Sequence, residues 1–210
     1  MGKASKKWAM LIFNLAYHIV GYLGVNKLAH NRGLKHTLEI PWDASIPFVA
    51  YFAPFYGIVY FVPVIAFFIA WNNYELVKSA FKAFLFAGTV CLICFWVYPV
   101  EFSMRETLHP PYDVFTNIVR FFYYIDTPYN SFPSMHVALA FISVQIVDRQ
   151  SPRLAPWFMA LAIVITLSTF FVKQHFILDA IAGIALAYVS GWIFLPKKSA
   201  VRSAMAQELV

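Results

Sequence analysis

The chain is built from long apolar runs separated by short polar breaks, with little of the two-sided striping of a water-facing fold. Six runs, residues 8–25, 48–71, 83–100, 132–147, 154–172 and 176–195, reach or approach the roughly 20 residues that a helix needs to cross a hydrocarbon core. Lipid offers no partners to backbone amides, so runs of this kind predict helices. The second run contains Pro54 and Pro63, which predicts a kink or a break. The fourth is the shortest and opens on polar groups, which places its start at a water interface. The longest connection, residues 101–131, carries Phe115, Ile118, Val119, Phe121 and Phe122 at helical spacing. That spacing predicts a short amphipathic helix lying on the membrane surface. No linker, repeat or low-complexity tract divides the chain. The expected architecture is all-α: one domain over residues 1–210, a polytopic bundle of six transmembrane helices with one extracytoplasmic amphipathic helix.

Composition sharpens this picture. Hydrophobic residues make up 61% and charged residues 12%, where a soluble domain carries about 25% charged. Aromatic residues reach 19%, which suits acyl-facing Phe and interfacial Trp and Tyr. The formal charge of +6 is scattered between apolar runs, which argues for membrane orientation and against nucleic acid. With a cytoplasmic amino terminus, the inner segments hold Lys3, Lys6, Lys7, Lys78, Lys82, Arg149, Arg153, Lys197, Lys198 and Arg202. The outer ones hold Lys27, Arg32, Lys35, Arg105, Arg120 and Lys173, six cations against ten. Both termini are therefore expected in the cytoplasm, with loops 26–47, 101–131 and 173–175 outside. The tail after Pro196 reads as a disordered end. The first run continues into Asn26-Lys27-Leu28 without a small-residue cleavage pattern, so it reads as a retained helix. The start misses the myristoylation pattern because the serine stands at position 5 rather than 6. Cys91 and Cys94 share one apolar run with no second pair, so they read as packing residues rather than a redox or metal pair.

Ionisable groups near membrane depth are costly and mark candidate sites. Pro133-Ser134-Met135-His136 opens the fourth apolar run. Ser134 can cap that helix, whose free amides would favour an anion, with His136 one step in as a proton donor or acceptor. The same residues also suit a plain interfacial cap. His175 and Asp179 stand four apart on one helix face, an arrangement in which a carboxylate fixes a histidine tautomer. Arg105, at the exit of the third run, offers a fork for phosphate oxygens. Alone it reads more often as a solvated interface charge paired with Glu101 or Glu106. Together these groups converge on one membrane face and describe a site for transfer of an anionic group. Two further readings stay open. Two histidines and a carboxylate could form a metal triad, or the fold could serve as a transporter or scaffold.

The chain resembles the type-2 phosphatidic acid phosphatase superfamily. Pro133-Ser134-Met135-His136 is similar to its second motif, Pro-Ser-x-His, and Ser168-x6-His175-x3-Asp179 to its third, Ser-Arg-x5-His-x3-Asp. Counting back from Arg105, Tyr98 stands where the first motif has lysine, Glu106 where it has proline, and Thr169 where the third has arginine. Relaxed motifs of this kind, with Leu38-Glu39-Ile40-Pro41-Trp42-Asp43-x3-Pro47, resemble the branch of sphingomyelin and inositol phosphorylceramide synthases. The resemblance implies six transmembrane helices and chemistry without metal or cofactor. It also implies a lipid phosphate substrate at the bilayer. His175 would attack phosphorus, Asp179 would hold its ring, and His136 would protonate the leaving oxygen. Arg105, Ser134, Lys173 and Ser168 would bind phosphate. Lys173 is an inferred substitute for the missing arginine. Hydrolysis and transfer to an alcohol acceptor both remain open. The residues do not choose the lipid or the oligomeric state.

Overall fold

A computed structural model describes residues 2–31 and 35–201, and these residues contain nine α-helices and no strand. They are α1 (Lys3–Asn31), α2 (Pro41–Ser45), α3 (Ala53–Ile58), α4 (Val62–Ile69), α5 (Tyr74–Val97), α6 (Val114–Ile125), α7 (Met135–Gln150), α8 (Ala155–Phe171) and α9 (Ile177–Phe194). Each of the six apolar runs is helical. Four stretches are long and apolar enough to cross a membrane: Lys3–Ala29, Ala50–Ile69, Tyr74–Val97 and Ile177–Phe194. The remaining two runs form α7 and α8, which are shorter at 16 and 17 residues.

The second run is broken rather than kinked. A 3-10 turn at Ala50–Phe52 leads into α3, and a turn at residues 59–61 separates α3 from α4. Pro54 and Pro63 lie in the first turns of α3 and α4, where the amide that proline lacks has no helical partner anyway. Each proline therefore starts a helix instead of bending one.

α7 is the axis of the bundle. Eleven of its sixteen residues are buried, packed against α4, α5, α8 and α9. Ser143 and Gln145 within α7 donate to the Leu139 and Ala187 carbonyls, and polar side chains of this kind are costly in lipid, which fits the central place of this run. α9 approaches its start closely: a Cβ on Gly183 would stand 2.6 Å from the Ser134 carbonyl oxygen. α1 packs chiefly on α5 and leaves Ile12, Phe13, Ile19 and Val20 exposed, as a lipid-facing wall would.

The amphipathic helix expected in the long connection is α6. Asp113 caps it by accepting the Thr116 N–H at 2.7 Å, and that backbone bond holds the Asp113 carboxyl below its usual range. Val119 and Phe122 are buried while Phe121 and Tyr124 stay exposed. Around the starts of α7 and α9, Val100 bridges both His36 and Asn130, and Lys35 pairs with Glu101 at 3.2 Å. At the other end, Arg149 Nε donates to the Pro196 carbonyl at 2.7 Å and Lys198 pairs with Asp148. The tail expected to be disordered is ordered over residues 198–201, a helical turn with Val201 buried, because these contacts tether it. Arg32, Arg202 and the rest of the tail lie outside the described residues.

Candidate active site

The short turn from α8 to α9 aims His175. Lys173 adopts the left-handed region at φ 53°, and the amides of Gln174 and His175 donate to the Thr169 carbonyl at 2.9 and 3.3 Å. Thr169, in the arginine position of the family's third motif, thus braces the turn that carries the histidine. Asp179 lies in the first turn of α9. Its Oδ2 accepts the Phe176 N–H at 2.9 Å and faces His175 Nδ1 at 3.4 Å. One carboxylate therefore caps the helix and fixes the ring. Its Oδ1 is buried with no hydrogen-bond partner.

The other ring nitrogen of His175, Nε2, meets His136 Nδ1 at 3.2 Å. His136 rides on the first turn of α7, where Ser134 Oγ accepts the Val137 N–H at 3.3 Å. The Ser134 N–H donates to the Asp179 carbonyl at 3.0 Å, so the two helix starts are bonded to each other. His136 Nε2 lies 3.2 Å from the Tyr56 hydroxyl and 3.4 Å from that of Tyr60. Tyr56 donates in turn to Asp126 Oδ2 at 2.8 Å, and Tyr22 donates to Asp126 Oδ1. The result is a buried line, Asp179–His175–His136–Tyr56–Asp126, with a carboxylate at each end.

Beside His175 opens a narrow polar cleft lined also by Arg105, Asp126, Asn130 and Gln174. Arg105 stacks on the Tyr123 ring at 4.7 Å and donates to the Tyr123 carbonyl and the Gln174 side-chain oxygen. Burial pushes the Tyr123 phenol up to about 12, against the pull of the Arg105 charge. Arg105 Nε and Gln174 Nε2 are buried donors with no partner, and Asn130 Oδ1 is a buried acceptor with none. Unsatisfied buried polar groups are costly, which marks these side chains as candidate ligand contacts, although the cleft as it stands has no room for a water molecule.

The structure brings His136, His175, Asp179, Ser134 and Arg105 together, and it turns two expected phosphate ligands elsewhere. The Lys173 ammonium is buried and donates to the Ile46 and Asp43 carbonyls at 2.6 and 3.4 Å. Ser168 Oγ donates to the Ile165 carbonyl of its own helix at 2.6 Å. Arg105 does not pair with Glu101, which Lys35 takes. Sequence reasoning missed Asp126, Tyr56 and Gln174. A carboxylate directly after the apolar stretch 121–125 was a usable signal for Asp126; nothing local marked Tyr56. Cys91 is buried and Cys94 partly so, both free thiols in α5. Among the described residues no group of three or more His, Cys, Asp or Glu side chains is placed to hold a metal ion.

Neither the curated proteins nor the solved structures contain a significant match to this chain. A family model does match, described as the PAP2 superfamily, and it covers residues 23–193. That span includes both histidines, both carboxylates and Arg105, and the chain belongs to the PAP2 superfamily.

Proposed function

We propose that this chain is a membrane lipid phosphate phosphatase acting through a phosphohistidine on His175. The observation that carries the reading is the His175–Asp179 pair in contact with His136, opening on a cleft with unpartnered Arg105 and Gln174 donors. Asp179 holds the proton on His175 Nδ1, which leaves the Nε2 lone pair free for phosphorus. With the Tyr56 hydrogen directed to Asp126, the Tyr56 oxygen accepts from His136 Nε2–H. His136 then carries a second proton on Nδ1, aimed at the reacting centre.

The rings touch at 3.2 Å, so the phosphoryl group must part them as it enters. In the first step the His175 Nε2–phosphorus bond forms and the bond to the lipid oxygen breaks. That oxygen takes the His136 Nδ1 proton. In the second, water gives a proton back to His136 Nδ1 as its oxygen bonds phosphorus and the bond to His175 breaks. Arg105, Gln174 and the amides at the start of α7 stabilise the equatorial oxygens, the main electrostatic task in phosphoryl transfer. The long apolar helices support a centre near a bilayer face, and the cation distribution supports the extracytoplasmic one, with both termini cytoplasmic.

A lipid phosphotransferase is the second reading. The motif departures at Tyr98, Glu106 and Thr169 favour it, and it differs only in an alcohol replacing water. Purified protein in detergent is given a panel of lipid phosphates, with and without chelator and alcohol acceptors. Free phosphate that persists with chelator and vanishes in His175→Ala supports the phosphatase. A new headgroup-exchanged lipid without free phosphate moves the chain to transfer. Full activity in His175→Ala refutes the covalent route, and loss with chelator revives the metal triad.

A further inference from the structure

The segment before the second apolar run sends a buried carboxylate to the turn that carries His175. Asp43, on the short helix α2, is only 3% exposed. Its Oδ2 accepts the Ile40 N–H at 2.8 Å and so caps α2 itself. Its Oδ1 accepts the Ile177 N–H, the first amide of α9, at 2.9 Å and across 134 positions of chain. Its backbone carbonyl accepts from the Lys173 ammonium at 3.4 Å. Asp43 thus fastens the chain two residues before His175 and again two residues after it.

A buried carboxylate is expensive to keep, and α9 already carries a cap of its own. Asp179 Oδ2 accepts the Phe176 N–H and faces His175 Nδ1. With the Ile177 amide taken by Asp43, the Asp179 carboxylate is left to Phe176 and the ring. The other fastening explains the backbone of Lys173. At φ 53° it stands in a region that side-chain-bearing residues rarely adopt, and such a residue persists only where its surroundings over-determine it. The bonds from Lys173 Nζ to the Asp43 and Ile46 carbonyls supply that constraint.

We propose that Asp43 is a positioning residue for phosphoryl transfer. It touches no reacting atom. It holds the Lys173 turn and the first turn of α9 in one register, so that His175 Nε2 is aimed at phosphorus. The inference rests on the phosphohistidine reading above and adds to it a residue from a distant segment. In-line attack tolerates little error, since a displacement of about 1 Å can cost about 100-fold in rate.

Two variants break the same bond from opposite sides. Asp43→Asn keeps the size, but its NH2 cannot accept, so either the Ile40 or the Ile177 amide loses its partner. Ile177→Pro deletes the donor at the first helical position, where proline is favoured. Phe176 before it has φ −76° and ψ 160°, the extended backbone that a residue preceding proline adopts.

The assay is cleavage of phosphatidic acid in detergent, or of the fastest substrate of the panel above, with orthovanadate and sulfate as inhibitors. Vanadate bonds to an aimed nucleophile and copies the five-coordinate transition state, whereas sulfate stays tetrahedral. In both variants kcat should fall about 10- to 100-fold. Vanadate inhibition should weaken by a similar factor, while sulfate inhibition holds. A folding defect lowers kcat but leaves both inhibition constants as they were, because only folded molecules are inhibited; that result overturns the positioning role. Unchanged kcat in both variants overturns it as well, and so does failure of both to fold, which would make Asp43 a folding residue. In each of those cases the phosphohistidine reading stands. A wild-type chain that cleaves no phosphate ester, or that vanadate does not inhibit, removes both readings together.

Discussion

Asp126 borders the cleft beside His175, and the geometry makes it a positioning residue for the acid. Its carboxylate accepts from Tyr22 and Tyr56, and the Tyr56 oxygen is then available to His136 Nε2. Asp126→Asn keeps the size and removes the charge. The amide NH2 can also meet a tyrosine oxygen, turning that hydroxyl's hydrogen toward His136 Nε2, which then cannot hold a proton, so the doubly protonated ring that acts as the acid is disfavoured. Removal of a partner that orients a catalytic group costs about 10- to 100-fold in rate, which is about 1.4–2.7 kcal/mol in the barrier. The loss should fall on kcat with KM little changed, because the substrate contacts lie on Arg105 and Gln174. Tyr56→Phe breaks the same line one link later, so it should lose a similar amount. The double variant should then be no slower than the slower single one, a coupling close to the whole single effect. The assay is steady-state phosphate-ester cleavage by the four proteins, with thermal unfolding to confirm equal folded fractions. Losses that multiply in the double variant, or an unchanged kcat in Asp126→Asn, would refute the relay.

Two further substitutions separate phosphate binding from scaffolding. Arg105→Lys keeps the charge but loses the planar fork stacked on Tyr123, so KM should rise about tenfold; an unchanged KM would take Arg105 out of the site. Lys173→Met should lower stability by about 1–3 kcal/mol in thermal unfolding, because two buried carbonyls lose their donor. KM should hold in that variant. A raised KM at unchanged stability would return Lys173 to the phosphate.

The helices were legible because lipid demands long apolar runs, and each of the six runs is helical. The prolines of the second run marked its interruption, though only the structure reveals that they begin helices. His136, His175 and Asp179 were legible through local spacing, and so was the surface helix that became α6. The rest depends on contacts between distant segments. Lys173 reaches a carbonyl 130 positions away, and Tyr56 joins residues 70 and 80 positions away. No periodicity carries such information. The ordered turn at 198–201 was not legible for the same reason: its composition is that of a loose end, while Asp148 and Arg149, which hold the segment, lie on another helix.

The shortness of α7 has a consequence for the membrane itself. Sixteen residues rise about 24 Å, against about 30 Å of hydrocarbon, whereas α1 at 29 residues rises about 43 Å. On the proposed topology, with Asp148 and Arg149 at the cytoplasmic interface, His136 on the first turn stops several ångströms short of the opposite one. Either the lipid phosphate descends to meet it or the leaflet dimples there, and hydrophobic mismatch sets the balance. Bilayer thickness then acts as a reaction variable, and the same protein in thin and thick membranes would work at different speeds without any change in its own atoms.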